Sequence, residues 1–128
     1  MVGRSPAGRR ERILIVDDNI ALAENVAEIL ELDGYATAVA ATAEEALPLA
    51  LADDLSVLVT DFRLPGMNGV DLVNQVCRER CGLRCIVISA YTDERTMSSA
   101  LNAGAQFLAK PLSVAQLSLL IRNVEGSA

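Results

Sequence analysis

At 128 residues the chain has the length of one domain, enough to bury roughly two thirds of its unfolded surface. Just over half of it (52%) is apolar but only two Phe and two Tyr are present, so the core must be Leu, Val, Ile and Ala, which suits helices packed on a sheet. Seventeen acids against eleven bases leave a net charge of −6, which gives no footprint for nucleic acid or an anionic membrane. No apolar run approaches the ~20 residues that span a bilayer. The first one, Ile13 to Val16, ends at two aspartates, which is wrong for a secretory signal. A soluble, cytoplasmic domain is expected.

Met1 to Glu11 combines Gly, Pro, Ser and arginines without an apolar period, and reads as a disordered leader or linker. Arg12 to Val16 is the first strand, leading into Asp17-Asp18. Asn19 can cap the next helix, where Leu22, Val26, Ile29 and Leu30 recur at helical spacing until Gly34 stops it. Tyr35 to Ala40 alternates as a second strand. Thr42 with Glu45 makes a capping box for a second helix, which Pro48 should kink or shorten.

Leu55 to Thr60 is a short apolar run rich in β-branched residues, closed by Asp61 and the turn pairs Pro65-Gly66 and Asn68-Gly69. Such a run reads as a strand buried on both faces, the habit of parallel sheets. Asn68 caps a third helix to about Glu79, with Val70, Val73 and Val76 inward. Arg84 to Ser89 is the fourth strand. Asp93 to Asn102 is a helix with a modest apolar face, and Gly104 stops it. Ala105 to Ala109 is the fifth strand, followed by Lys110-Pro111. Ser113 with Gln116 opens a last helix, faced by Leu117, Leu120, Ile121 and Val124 and followed by a tail over 125–128. Five βα units in alternation, with no repeat and no second domain, imply a parallel sheet with helices on both faces over 12–124.

Cys77, Cys81 and Cys85 are spaced C-x3-C-x3-C, and the chain has no histidine. An odd count without a signal argues against a disulfide framework, and the spacing fits neither a zinc ribbon nor a finger. Small buried residues are the expectation. Without histidine there is no Ser-His-Asp or Cys-His catalyst, and the chain cannot supply its own phosphohistidine.

Four strands end in a reactive side chain or lead straight into one: Asp17 and Asp18, Asp61, Ser89 and Lys110. Ligands of such sheets sit beyond the carboxyl ends of the strands. If the first and third strands are neighbours, their backbones lie ~4.8 Å apart and three carboxylates crowd one pocket. Like charges there raise the carboxylate pKa values unless a cation is present. Hard oxygens without His or Cys select Mg²⁺. Carboxylate, divalent ion, ammonium and hydroxyl are the requirements of phosphoryl transfer to an aspartate.

Through ILIVDD, VLVTDFRLPGMNG, IVISAYT and FLAKP, the chain resembles the response-regulator receiver domains of two-component signalling over about 11–124. The resemblance implies a flavodoxin-like (βα)5 three-layer sandwich with a parallel five-stranded sheet in order 2-1-3-4-5. It makes Asp61 the phosphoacceptor and Asp18 a direct ligand of Mg²⁺ (or Mn²⁺), with Asp17 acting through water. Asp61 and the backbone carbonyl of Arg63 complete the protein ligands. Ser89 corresponds to the hydroxyl that follows the phosphoryl group, Lys110 to the lysine that neutralises it, and Lys110-Pro111 to a cis peptide. Phe107 stands at the aromatic switch, where the family more often has Tyr. Arg63 and Tyr91 hold positions that tune loss of the phosphoryl group.

The implied partner is a histidine kinase or histidine phosphotransfer protein docking near the first helix. The output surface is the fourth helix, fifth strand and last helix, which can also form a homodimer. No nucleic acid or membrane contact is expected of this domain, which is either a stand-alone regulator or a piece of a larger regulator or hybrid kinase. Other readings fit less well. A haloacid-dehalogenase-type phosphatase places D-x-D after its first strand, and this chain has D-D-N there. A flavodoxin-type flavin binder needs a phosphate loop where two aspartates stand. An unphosphorylated pseudo-receiver acting as an interaction module is not favoured, since all five expected side chains are present.

Overall fold

A computed structural model describes residues 11–52, 54–80 and 82–126, with side chains through 122. Each strand is a run of four to six residues, short for a helix, and β1, β3 and β4 are rich in β-branched residues. They are β1 (Arg12–Val16), β2 (Ala36–Ala40), β3 (Val57–Asp61), β4 (Arg84–Ser89) and β5 (Gln106–Ala109). They alternate with α1 (Ile20–Leu32), α2 (Ala43–Ala50), α3 (Gly69–Glu79), α4 (Glu94–Asn102) and α5 (Val114–Gly126). All strand pairs are parallel, in the order β2-β1-β3-β4-β5. The chain starts in the middle, so the β1–β3 boundary is where the winding reverses and the carboxyl rim opens a crevice.

Alternation along the central strands splits the core into two faces. Leu14, Leu58, Cys85 and Val87 meet α2, α3 and α4 on one side. Ile13, Ile15, Val57, Val59, Ile86 and Ile88 meet α1 and α5 on the other. Because both faces are covered, β3 is buried at every residue. Among the described residues no helix is long and apolar enough to cross a membrane.

Side-chain caps set the helix starts. Asn19, Thr42, Asn68 and Asp93 each accept from a backbone N–H three residues on, and so does Ser113. The capping box of α2 is offset, since the Glu45 carboxylate accepts from Ala41 N–H at 3.0 Å rather than from Thr42. Pro48 sits inside α2, which is only eight residues long. The carbonyls beyond it are satisfied by Arg80, whose guanidinium donates to Ala50 O, Ala52 O and Leu55 O at 3.3, 2.6 and 2.5 Å.

Several boundaries and one core assignment differ from the sequence expectation. Ile29 is 38% exposed, and α1 turns Ala23, Val26, Ala27 and Leu30 inward instead. Small Ala residues let α1 lie close to the sheet, which rotates the stripe away from Ile29. β2 begins at Ala36, because Tyr35 N–H still bonds to Leu30 O at the end of α1. β3 runs from Val57 to Asp61 rather than from Leu55, whose N–H bonds back to Ala52 O. α5 extends to Gly126, so residues 125 and 126 are helix rather than tail. Glu11 O already accepts from Ala36 N–H, which puts Glu11 beside the sheet rather than in a leader. Residues 1–10, Cys81 and the side chain of Val124, for which the sequence predicts a leader, a small buried thiol and a core contact, lie outside the described residues.

Candidate functional site

The carboxyl rim of the sheet collects the reactive side chains. Asp61 is the last residue of β3 and Ser89 the last of β4; Asp17 and Lys110 directly follow β1 and β5. Along β3, Val57 and Val59 face α1 and α5, so by alternation Asp61 projects to that side too. It meets Asp17 and Asp18 there: one carboxylate oxygen from each of the three lies within 4.8 Å of the others. Lys110 approaches from the other flank, with Nζ 3.1 Å from Asp61 Oδ1. Ser89 is buried beside it, and its side chain alternates with Ile88 onto the α3–α4 face. The sheet gathers Asp17, Asp18, Asp61 and Lys110 into one cluster, and sets Ser89 on the same rim one residue past Ile88, the register partner of Asp61.

Each group is held by backbone geometry. Asp17 N–H bonds to Ala40 O at 3.1 Å, and Asp17 Oδ1 accepts from Asn19 N–H at 3.0 Å. Phe62 N–H continues the ladder to Ile88 O and Gly69 N–H returns to Phe62 O, both at 2.8 Å, closing the β3–α3 loop. Lys110 N–H bonds to Ser89 O at 2.9 Å, and the Lys110-Pro111 peptide is cis. Ser89 Oγ accepts from Tyr91 N–H at 2.8 Å.

Sequence reasoning gave Gly69 only a turn role, whereas the structure makes it a tight contact. A Cβ there would stand 2.3 Å from Asp61 O, so α3 can begin against the end of β3 only without a side chain. The signal was an Asn-Gly pair opening a helix where an apolar residue would otherwise serve. Arg63 and Tyr91, the two tuning positions read from the sequence, contact each other directly. The Arg63 guanidinium donates to the Tyr91 hydroxyl, and its carbon sits 5.3 Å from the Tyr91 ring centroid. Phe62 meets the same ring edge-on at 6.4 Å. The β3–α3 and β4–α4 loops are thereby joined. Phe107 pairs with Val87 in the β4–β5 register, two residues back from the Ser89–Ala109 pair, and packs half-buried on the α2–α3–α4 face.

The electrostatics follow from burial. Asp61 is 7% exposed, and desolvation pushes its carboxyl above the ordinary carboxylate value. Lys110 opposes that rise through its hydrogen bond and charge, whereas Asp17 and Asp18 add to it. The donor set is therefore three hard carboxylates in mutual repulsion, one buried, one half-buried and one exposed to water. It fits a hard dication that keeps part of its water, as Mg²⁺ does, and offers nothing to a thiophilic metal.

A parallel five-stranded sheet wound β2-β1-β3-β4-β5, with an acidic cluster and a lysine at the switch point, defines a CheY-like α/β domain. The chain belongs to the response regulator receiver domain family, whose model matches residues 13–122. It is 39% identical over 107 residues to response regulator receiver protein Anae109_2439 of Anaeromyxobacter sp. (83% of this chain, 45% of that protein). Identity to response regulator SaeR of Staphylococcus aureus is 32% over 113 residues (88% and 49%). The chain thus spans about half the length of these curated relatives. Among solved structures, a CheY-like receiver domain protein from Methanospirillum hungatei superposes with TM-score 0.84 at 33% identity, over 89% of this chain and 92% of that one. A response regulator from Burkholderia pseudomallei, solved with a phosphorylated aspartic acid, a calcium ion and citrate, gives 0.77 at 29%, over 91% and 73%.

Proposed function

We propose that this receiver domain accepts a phosphoryl group on Asp61 from the phosphohistidine of a partner histidine kinase or histidine phosphotransfer protein. The observation that carries it is the buried Asp61 carboxylate, ion-paired to Lys110 and set within 4.8 Å of the Asp17 and Asp18 oxygens. Asp61 oxygen attacks phosphorus in line; the O–P bond forms as the P–N bond of the donor imidazole breaks, and the released imidazole nitrogen takes a proton from solvent. Lys110 Nζ holds the acceptor carboxylate in place and supplies positive charge beside the incoming oxygens. Asp17, Asp18, Asp61 and the backbone carbonyl of Arg63 would hold Mg²⁺ or Mn²⁺, which when bound supplies charge neutralisation for the phosphoryl oxygens.

Transfer adds negative charge beside the Ser89 hydroxyl, which in the unmodified protein is engaged by Tyr91 N–H. Turning that hydroxyl to the phosphoryl group frees the β4–α4 loop, and Phe107, on the same face of the neighbouring strand, follows into the space. The α4-β5-α5 surface then changes shape. It exposes Met97 and Leu101 on α4 and Leu119 on α5, apolar area that suits a protein partner or a second copy of the chain. Acetyl phosphate with Mg²⁺ tests the reading: the intact mass should gain a single phosphoryl group, and gain none in EDTA. An unmodified mass in Mg²⁺ would leave the domain as an interaction module.

A further inference from the structure

The α3–β4 junction places two thiols together outside the acceptor pocket. α3 returns antiparallel to the strands and hands over to β4 after four residues, Arg80 to Leu83. Its last turn, carrying Cys77, therefore lies over the start of β4, where Cys85 is the second residue. Both side chains pack on the α2–α3–α4 face of the sheet, in one apolar cluster with Leu58, Leu72, Val73 and Val76. They are unbridged, Cys85 buried at 4% exposure and Cys77 half-buried. The Cys85 thiol points to Leu83 O at 3.7 Å, and Cys77 is near enough to it to disfavour its ionisation.

We propose that Cys77 and Cys85 are a peroxide-reactive pair that closes to a disulfide tying the last turn of α3 to β4. Burial and the neighbouring Cys77 sulfur push the Cys85 thiol up to about 12, which leaves it protonated and assigns the first step to the more accessible Cys77. The Cys77 thiolate attacks one peroxide oxygen; the O–O bond breaks, hydroxide leaves and is protonated, and sulfur is oxidised to the sulfenic acid. The Cys85 sulfur then attacks the Cys77 sulfur. The S–O bond breaks, and the departing hydroxide takes the Cys85 thiol proton, so two thiols and one peroxide yield a disulfide and two waters. A helix and a strand that slide apart only by breaking this bond become one unit, while the acceptor pocket at the opposite rim keeps its residues.

Hydrogen peroxide in slight excess over the reduced full chain, then alkylation and peptide mapping without reductant, tests the pair. The expected product has lost two hydrogens, links Cys77 to Cys85 within one chain, and carries the alkyl group on Cys81. In Cys85→Ala, Cys77 should stop at a sulfenic acid that dimedone traps. Wild-type protein left unoxidised, linked Cys77 to Cys81, or linked between chains would overturn the assignment, whatever the variants do.

Discussion

Replacing Gly69 by Ala probes the contact that seats α3 against the acceptor strand. The added Cβ would lie 2.3 Å from Asp61 O and 3.1 Å from both Asp61 C and Thr60 Cγ2. Favourable carbon contacts begin at about 3.5 Å, so α3 and the end of β3 must part by about 1 Å. The clashing oxygen is backbone, inside a strand buried at every residue, and cannot swing aside as a side-chain tip would. Overpacking of this kind costs about 1–3 kcal/mol, and the better helix propensity of Ala returns about 0.5–1 kcal/mol. A net loss of up to about 2.5 kcal/mol lowers a urea midpoint by up to about 1.2 M at a slope of about 2 kcal/mol/M. The same 1 Å displaces Asp61, and misplacement of that size costs on the order of 10²-fold in rate. Urea unfolding followed by circular dichroism, with a mass time course in acetyl phosphate, reads both effects. Gly104→Ala is the control: at φ +88° with no atom within 4 Å of the new Cβ, it should lose stability through backbone strain and keep its rate. A Gly69→Ala protein matching wild type in midpoint and rate would refute the reasoning.

The remaining predictions concern the pocket and the loops beside it. Lys110→Met should slow phosphorylation by about 10²–10³-fold, read by the same time course, because it removes the cation 3.1 Å from Asp61 Oδ1. Arg63→Ala and Tyr91→Ala each break the contact between the β3–α3 and β4–α4 loops, worth about 0.5–1 kcal/mol at this exposure, and should shorten the phosphoryl lifetime about two- to fivefold; unchanged lifetimes would make both residues bystanders. Asp93, the N-cap of α4, is held below the ordinary carboxylate value by its bonds from the Thr96 hydroxyl and N–H at 2.9 and 3.1 Å. Its contribution is present above the unfolded value of 3.8 and is lost as pH falls through the depressed folded one. Asp93→Ala should therefore be less stable than wild type at neutral pH, and denaturation curves of the two should converge in acid.

Short strands bounded by turn residues, and caps at Asn19, Thr42, Asn68 and Ser113, were legible because each rests on local chemistry. The shared rim was legible for the same reason: parallel order alone puts the strand ends of Asp61 and Ser89, and the residues after β1 and β5, on one edge. The failures share a cause in tertiary packing. Ile29 satisfies helical periodicity, but the close fit of Ala23 and Ala27 to the sheet decides which stripe is buried. Gly69 looked like turn punctuation, and only the approach of α3 to Asp61 O gives it its role. Arg80 supports three carbonyls 25 to 30 residues earlier, and the Arg63–Tyr91 contact spans 28 residues, separations at which no local pattern operates.

Chemical location of the acceptor tests the central claim most directly. After acetyl phosphate and Mg²⁺, borohydride reduces an acyl phosphate to the alcohol, converting the modified aspartate to homoserine for peptide sequencing. The account predicts homoserine at position 61, with Asp17 and Asp18 unchanged. Homoserine at another aspartate, or a phosphoryl group that resists borohydride because it sits on a hydroxyl, would contradict it.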